Sequence, residues 1–334
     1  MKDLAGQAGG KYSIRYLSAR DVVSCMPPMA RQLELAETAV LALARGEGDN
    51  PPKTAIHTRD EAFLHAMPAY HRPTDRVGLK WVSGYPENRA HGLPYIMGLI
   101  VLNDPETGRP LCVMDAREIT GVRTAAISGV AMARLAPPEV DAVAIVGTGA
   151  QARAHLPVLT HLFSPFDLVV CDVLPEAAQA YAELARDSGG VRSVRIVSTI
   201  PEAIETADLV ITAGTVYAHF QNQIRPELMK PDVLIVAVDW STLVPGATVQ
   251  VADLFVVDDV PQYLYHKGFG VEFLGYPDET RSLGELVVEG VTRETRPSGL
   301  LIAMPIGVAM TDIFYAHEVL RRAEELGVGQ ELEA

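Results

Sequence analysis

With 334 residues, 48% of them hydrophobic and 21% charged, the chain is long enough for two domains, each with its own core. Its 42 acidic residues outnumber 28 basic ones, and a net charge of −14 leaves no basic surplus to displace counterions from nucleic acid. Cys25, Cys112 and Cys171 lie far apart without metal-ligand spacing, so neither a disulfide framework nor a metal site is expected. The opening "MKDLAGQAGGKYSIRYLS" lacks the apolar core of a leader, and no later run approaches membrane-spanning length. The expectation is a soluble, cytoplasmic protein with no membrane partner.

Residues 28–46 predict a helix closed by Gly46. Strand-like segments follow at 53–58, 63–71, 76–85, 94–104 and 110–116, and "DPETGRP" reads as the hairpin turn between the last two. A long helix over 117–136 then runs up to Pro137 and Pro138, a boundary mark. Beyond it the style changes. Apolar runs at 141–147, 167–173, 194–198, 208–214, 233–239 and 254–259 alternate with helical patterns such as 175–189. Continuous apolar strands are buried on both faces, as in a parallel sheet. The order predicts a doubly wound α/β unit from about 130 to 310, followed by a helix at 309–327 that can return to the first unit.

Within the first of those runs stands "VAIVGTGAQARAHL", residues 143–156. A lone Gly-x-Gly-x-x-Ala is a weak signal, but this one follows a predicted strand, opens a helix and precedes a second strand ending at Asp172. That is the setting a dinucleotide fingerprint requires. Gly147 permits the tight turn, Gly149 admits a pyrophosphate to the backbone, and Ala152 lets helix and strand pack closely. The helix N-terminus, carrying Thr148, Ala150 and Gln151, offers amides and partial positive charge to the phosphates. Asp172 can accept from both ribose hydroxyls and would repel a 2′-phosphate, and Val173 beside it supplies no positive charge. NAD is therefore expected over NADP. Thr215, after the fourth apolar run, completes the cofactor set.

Ligands of open α/β sheets sit beyond the carboxyl ends of the strands. Asp239 ends one such strand, where it either faces a substrate or caps the next turn. Arg123 shares a helical face with Ile119, Ala126, Ile127 and Val130. A guanidinium on an apolar stripe must find an anion, either a structural carboxylate or that of a substrate. Lys80 faces away from Val77, Leu79 and Trp81, which fits a solvated strand face as well as an active site. Lys53 and His65 leave the same choice open, whereas His71, Glu118 and the C-terminal charges read as surface.

The segments "GLKWVSGYPEN", "GLIVLNDPETGRPLCVMDA", "ITGVRTAAIS" and "AIVGTGAQARAHL" together resemble the ornithine cyclodeaminase/mu-crystallin family, in the same order over nearly the whole chain. The resemblance implies a Rossmann-type doubly wound parallel sheet, residues 130–311. It is set into an α+β substrate and dimerisation domain, residues 1–129 with 312–334. It also implies a homodimer whose substrate domains close a barrel between them. By position, Lys80 matches the family's active-site lysine, Arg123 its carboxylate-binding arginine, and Thr124 a residue near the cofactor phosphates. Departures are Lys53 for an arginine, His65 for a glutamate, Tyr95 for a threonine, and Ser241 for the catalytic aspartate, with Asp239 two residues earlier. Asp312 is retained.

The reading is an NAD(P)-dependent oxidoreductase acting on the C–N bond of a small amino acid or a cyclic imine. Arg123, Lys53 and Lys80 would hold the carboxylate, Lys80 would polarise the reacting centre, Asp239 would move the proton and His65 would share that traffic. The alternatives are a redox-neutral cyclodeaminase with bound NAD, and a non-catalytic binding protein of the mu-crystallin type. Two lysines and a histidine around the pocket disfavour a second ammonium, which favours net redox change over release of ammonia.

Overall fold

The computed structural model describes residues 12–216 and 224–333, so the first part of the leader reading, residues 1–11, lies outside it. The N-terminal part comprises β1 (Ser13–Leu17), α1 (Ala19–Ser24), α2 (Met29–Ala44), β2 (Gly48–Asp49), β3 (Thr54–Ile56) and β4 (Phe63–His71). It continues with β5 (Arg76–Gly84), β6 (Ile96–Asn103), β7 (Pro110–Asp115) and α3 (Arg117–Leu135). Strands β4 to β7 form an antiparallel meander, and β1 joins β7 in parallel. Alternation along these strands sets two different faces. Met67, Ala69, Lys80, Val82, Ile100 and Leu102 are buried on one, while Trp81 and Leu99 on the other remain 38% and 44% exposed.

The second sheet is wholly parallel. Its elements are β8 (Ala142–Val146), α4 (Ala150–Phe163), β9 (Phe166–Cys171), α5 (Pro175–Asp187), β10 (Val191–Val197), α6 (Ile200–Ile204) and β11 (Leu209–Thr212). After these come β12 (Val233–Ala237), α7 (Gly246–Gln250), β13 (Leu254–Val257), α8 (Val260–Lys267), β14 (Arg281–Ser282), α9 (Leu283–Val288) and β15 (Leu300–Met304). The spatial order β10-β9-β8-β11-β12-β15-β13-β14 reverses direction between β8 and β11, the doubly wound switch point. The fold is α/β, a Rossmann-type sheet joined to an α+β unit.

The closing helix α10 (Ala309–Leu326) returns to pack on β4, β5 and β6, and β16 (Gln330–Glu333) pairs antiparallel with β1. Several readings need correction. The run "LLIAM" forms β15, a central strand between β12 and β13 that the sequence reading passed over. The 53–58 segment shortens to β3, because Lys53 turns toward Ile306 and its amide toward Gln262. His71 is buried rather than on the surface: the alternation of β4 carries it inward, against the Phe314 ring at 4.8 Å. Glu318 is buried too, held by Arg31 and Arg321. Among the described residues no helix is long and apolar enough to cross a membrane, and no group of three or more His, Cys, Asp or Glu is placed to hold a metal.

Candidate active site

The carboxyl ends of β8, β9 and β11 meet at the glycine turn. Gly147 has φ +88°, and a Cβ there would fall 2.7 Å from the backbone of Ala213 and Gly214, so only glycine fits. A Cβ on Gly149 would meet nothing within 4 Å, which leaves its outer side open to a ligand at the start of α4. The first amides of that helix, including those of Ala150 and Gln151, have no intrahelical partner by construction. Ala152 is fully buried against the sheet, with the Tyr181 hydroxyl on its carbonyl at 3.2 Å. Asp172 Oδ2 accepts from both the amide and the hydroxyl of Thr148, each at 2.7 Å, and Oδ1 accepts from the Leu174 amide at 2.9 Å. Thr148 is therefore spent on fixing the turn. Thr215 is exposed just past β11, while Thr124 is buried and donates its hydroxyl to the Thr120 carbonyl at 2.8 Å. Gln151 keeps a buried side-chain oxygen without a partner. These residues form an open cradle of the kind a dinucleotide phosphate needs.

Three elements bring charge together beside this rim. Asp312, fully buried in the first turn of α10, accepts from Arg123 Nε at 3.0 Å through Oδ1. Its Oδ2 lies 2.7 Å from Lys80 Nζ in an ion pair. Both readings left open for Arg123 are thus partly met: it has a structural carboxylate, yet its Nη1 remains buried with no hydrogen-bond partner. Lys80 is fully buried, not on a solvated face. Burial, and then Arg123, push its pKa down to about 8 against the pull of Asp312. Lys53, from the loop before β3, donates to the Ile306 carbonyl at 2.8 Å, and burial with Arg123 lowers its pKa to about 7.

The turn after β15 is built to approach these cations. Gly307 has φ +92°, and a Cβ there would stand 2.9 Å from Arg123 Nη1. Asp258, just past β13, holds the turn by accepting from the amides of Ile306 and Gly307 at 2.9 and 2.7 Å. Lys53, Lys80 and Arg123 thereby gather beside Asp258 and Asp312, with Glu272 also acting on Lys53, and the unpartnered Arg123 Nη1 is the donor still open to an anion.

His65 stacks on Phe63 at 4.3 Å and meets His266 edge-on at 6.4 Å. Burial and the field of Lys53 drive the pKa of His65 to about 2 and of His266 to about 3, so both rings are neutral. Asp239 lies on the rim but turns toward β11. It accepts from the Thr212 hydroxyl at 2.5 Å and the Gly214 amide at 3.2 Å, and burial raises its pKa to about 7. Ser241 accepts from the Phe273 amide at 3.1 Å. Asp258, Trp240, His266 and Gly307 were missed from sequence, although Asp258 ends an apolar run as a rim residue does.

A sequence model of the ornithine cyclodeaminase/mu-crystallin family matches residues 16–326. The chain is 32% identical over 320 residues to the nodulation efficiency protein NfeD of Rhizobium meliloti, spanning 95% of this chain and 97% of that one. It is similar to the structure of Thermococcus litoralis Δ1-pyrroline-2-carboxylate reductase in complex with NADH and L-proline, at 28% identity and TM-score 0.82, covering 96% and 100% of the two chains. An archaeal alanine dehydrogenase dimer with bound NAD gives 26% identity and TM-score 0.83 over 96% and 99%. The chain belongs to the ornithine cyclodeaminase/mu-crystallin family.

Proposed function

We propose that this chain is an NAD-dependent oxidoreductase that interconverts the Cα–N single bond of a small amino acid and the C=N bond of its imine, working as a homodimer. One observation carries the reading. Arg123 and Lys80 share Asp312 in a buried cluster where Arg123 Nη1 has no hydrogen-bond partner, next to the Gly147–Gly149 cradle. A substrate carboxylate fits there, with Arg123 Nη1 as its directional donor and Lys53 adding charge. Lys80 Nζ has three N–H bonds and, among the described residues, one carboxylate in contact, so it can also hold the reacting nitrogen or oxygen.

The similarity to structures holding NADH with L-proline and NAD supports the cofactor and the substrate class. The open side of Gly149, the α4 N-terminus and Asp172 would hold the dinucleotide. When bound, its nicotinamide supplies or accepts the hydride at Cα. The proton belongs to Lys80 Nζ, whose pKa of about 8 suits transfer near neutrality. Asp239, whose oxygens accept from Thr212 at the end of β11 and from Gly214 just past it, holds the rim in place. Positioning two reactants over this cluster accounts for most of the rate.

The test follows absorbance at the reduced-nicotinamide band, with amino acids plus NAD and with cyclic imines or 2-oxo acids and ammonia plus NADH. Net change that Lys80→Met abolishes is the expected result. Ammonia released from ornithine or lysine far in excess of supplied NAD, without NADH, would establish the redox-neutral cyclodeaminase reading instead.

A further inference from the structure

We propose that Trp240, His266 and His65 wall a second subsite, which receives the substituent on the substrate's α-carbon and takes a flat, uncharged aryl group in preference to a distal ammonium. The proposal rests on the carboxylate clamp described above and deepens it. Lys53 joins the two regions. Its Nζ lies 4.5 Å from the centre of the Trp240 ring, and it feels both Arg123 and Lys80. The Trp240 ring is 5.1 Å from His266, which in turn faces His65 on its Phe63 support.

Three further observations point to a ligand here. Trp240 has φ +57° and Phe273 φ +59°, a left-handed backbone that costs energy in bulky residues and concentrates at functional sites. The two strained residues pack together at 5.7 Å, tied by the Phe273 amide on Ser241 Oγ at 3.1 Å. His266 Nε2 is buried without a hydrogen-bond partner, although its other nitrogen lies 4.0 Å from Glu272.

Charge selects the occupant. A distal ammonium would add a further positive charge to Lys53, Lys80 and Arg123, while Glu272 beside His266 already acts on Lys53 and the Trp240 face is taken by Lys53. A second carboxylate gains little, since Lys53 already faces Asp258 and Glu272. An uncharged ring pays neither penalty and finds aromatic walls to stack on.

The chain has two tryptophans, Trp81 and Trp240, so a Trp81→Phe background makes Trp240 the sole emitter. Three carboxylates that differ only beyond the carboxylate are titrated with NAD present: 3-phenylpropanoate, butanoate and 5-aminopentanoate, with calorimetry alongside fluorescence. The expected result is a saturable change in Trp240 emission with 3-phenylpropanoate, bound at least tenfold tighter than 5-aminopentanoate. His65→Glu should reverse that order, and Trp240→Phe should reduce aryl binding with the fold retained by circular dichroism. Equal affinities that all fall in Arg123→Lys would leave the clamp standing and overturn the subsite. Binding of none of the three would overturn both, whereas calorimetric binding of the aryl acid with Trp240 emission unchanged would overturn the subsite alone.

Discussion

Asp312 is the residue on which two buried cations depend. Replacing it by Asn leaves Lys80 and Arg123 without their carboxylate in a site closed to water. Breaking a buried pair in this way costs about 3–5 kcal/mol, and Asp312→Asn should lower the unfolding free energy in urea by that order. A loss below about 1 kcal/mol would show that the cations are answered by something else. The two lysines also set a pH dependence. Each is charged below its pKa, about 7 for Lys53 and about 8 for Lys80, so carboxylate capture by the free enzyme weakens as pH rises through 7 to 8. In Lys53→Arg the charge persists, and the alkaline fall in kcat/KM should begin near 8 instead of near 7. An unshifted profile would remove Lys53 from the clamp. Arg123 was legible in the sequence because a guanidinium on an apolar helical stripe needs an anion. Lys80 was not legible from alternation, which says which residues share a face but not which face is covered. Trp240, His266 and Gly307 stayed hidden for a related reason: their role comes from contacts between elements far apart in the chain, which no local period encodes.

Helices α3 and α4 carry the clamp arginine and the phosphate turn, and a buried histidine fastens one to the other. His155 on α4 donates from Nδ1 to the Gln151 carbonyl at 2.7 Å, so its Nε2 accepts from Ser128 Oγ on α3 at 2.8 Å. Burial lowers its folded pKa to about 4 from 6.5. The unfolded chain therefore takes up this proton first, and the stability His155 contributes above pH 6.5 is lost as pH falls toward 4. A shift of this size corresponds to about 3 kcal/mol between those limits. His155→Gln keeps a side chain able to reach Ser128 but does not titrate. The drop in unfolding free energy between pH 7 and pH 5, by denaturant titration, should be smaller in that variant. An equal drop would mean His155 does not titrate on folding. At this scale most of the fold was legible: β4 begins and ends where alternation places it, and α3 and α5 end within two residues of their predicted bounds. β15 was lost because a five-residue apolar run so close to another helix reads equally as strand or helix.

On the scale of the whole molecule, the site is assembled from both sheets. β5 and α10 supply Lys80 and Asp312, while the turns after β13 and β15 supply Asp258 and Gly307. Asn50 ties the parts together, with its amide donating to Asp259 and its carbonyl accepting from the Met310 amide at the start of α10. One surface of this assembly is unsuited to water. The face of β5 and β6 opposite Lys80 presents Leu79, Trp81 and Leu99 side by side, and Ile56 of β3 is exposed as well. Contiguous apolar surface of this kind on a sheet marks an interface. A second copy of the chain is the partner expected there. Sedimentation at micromolar concentration should therefore give twice the 36.1 kDa of one chain. Substituting both Trp81→Glu and Leu99→Lys should halve that mass. Because Trp81 adjoins Lys80 on the same strand, the interface backs directly onto the clamp. Separation of the copies should then lower kcat/KM by at least tenfold while far-ultraviolet circular dichroism is kept. A single-chain mass for the unmodified protein would defeat the dimer, and a monomeric variant of full activity would defeat its link to the site.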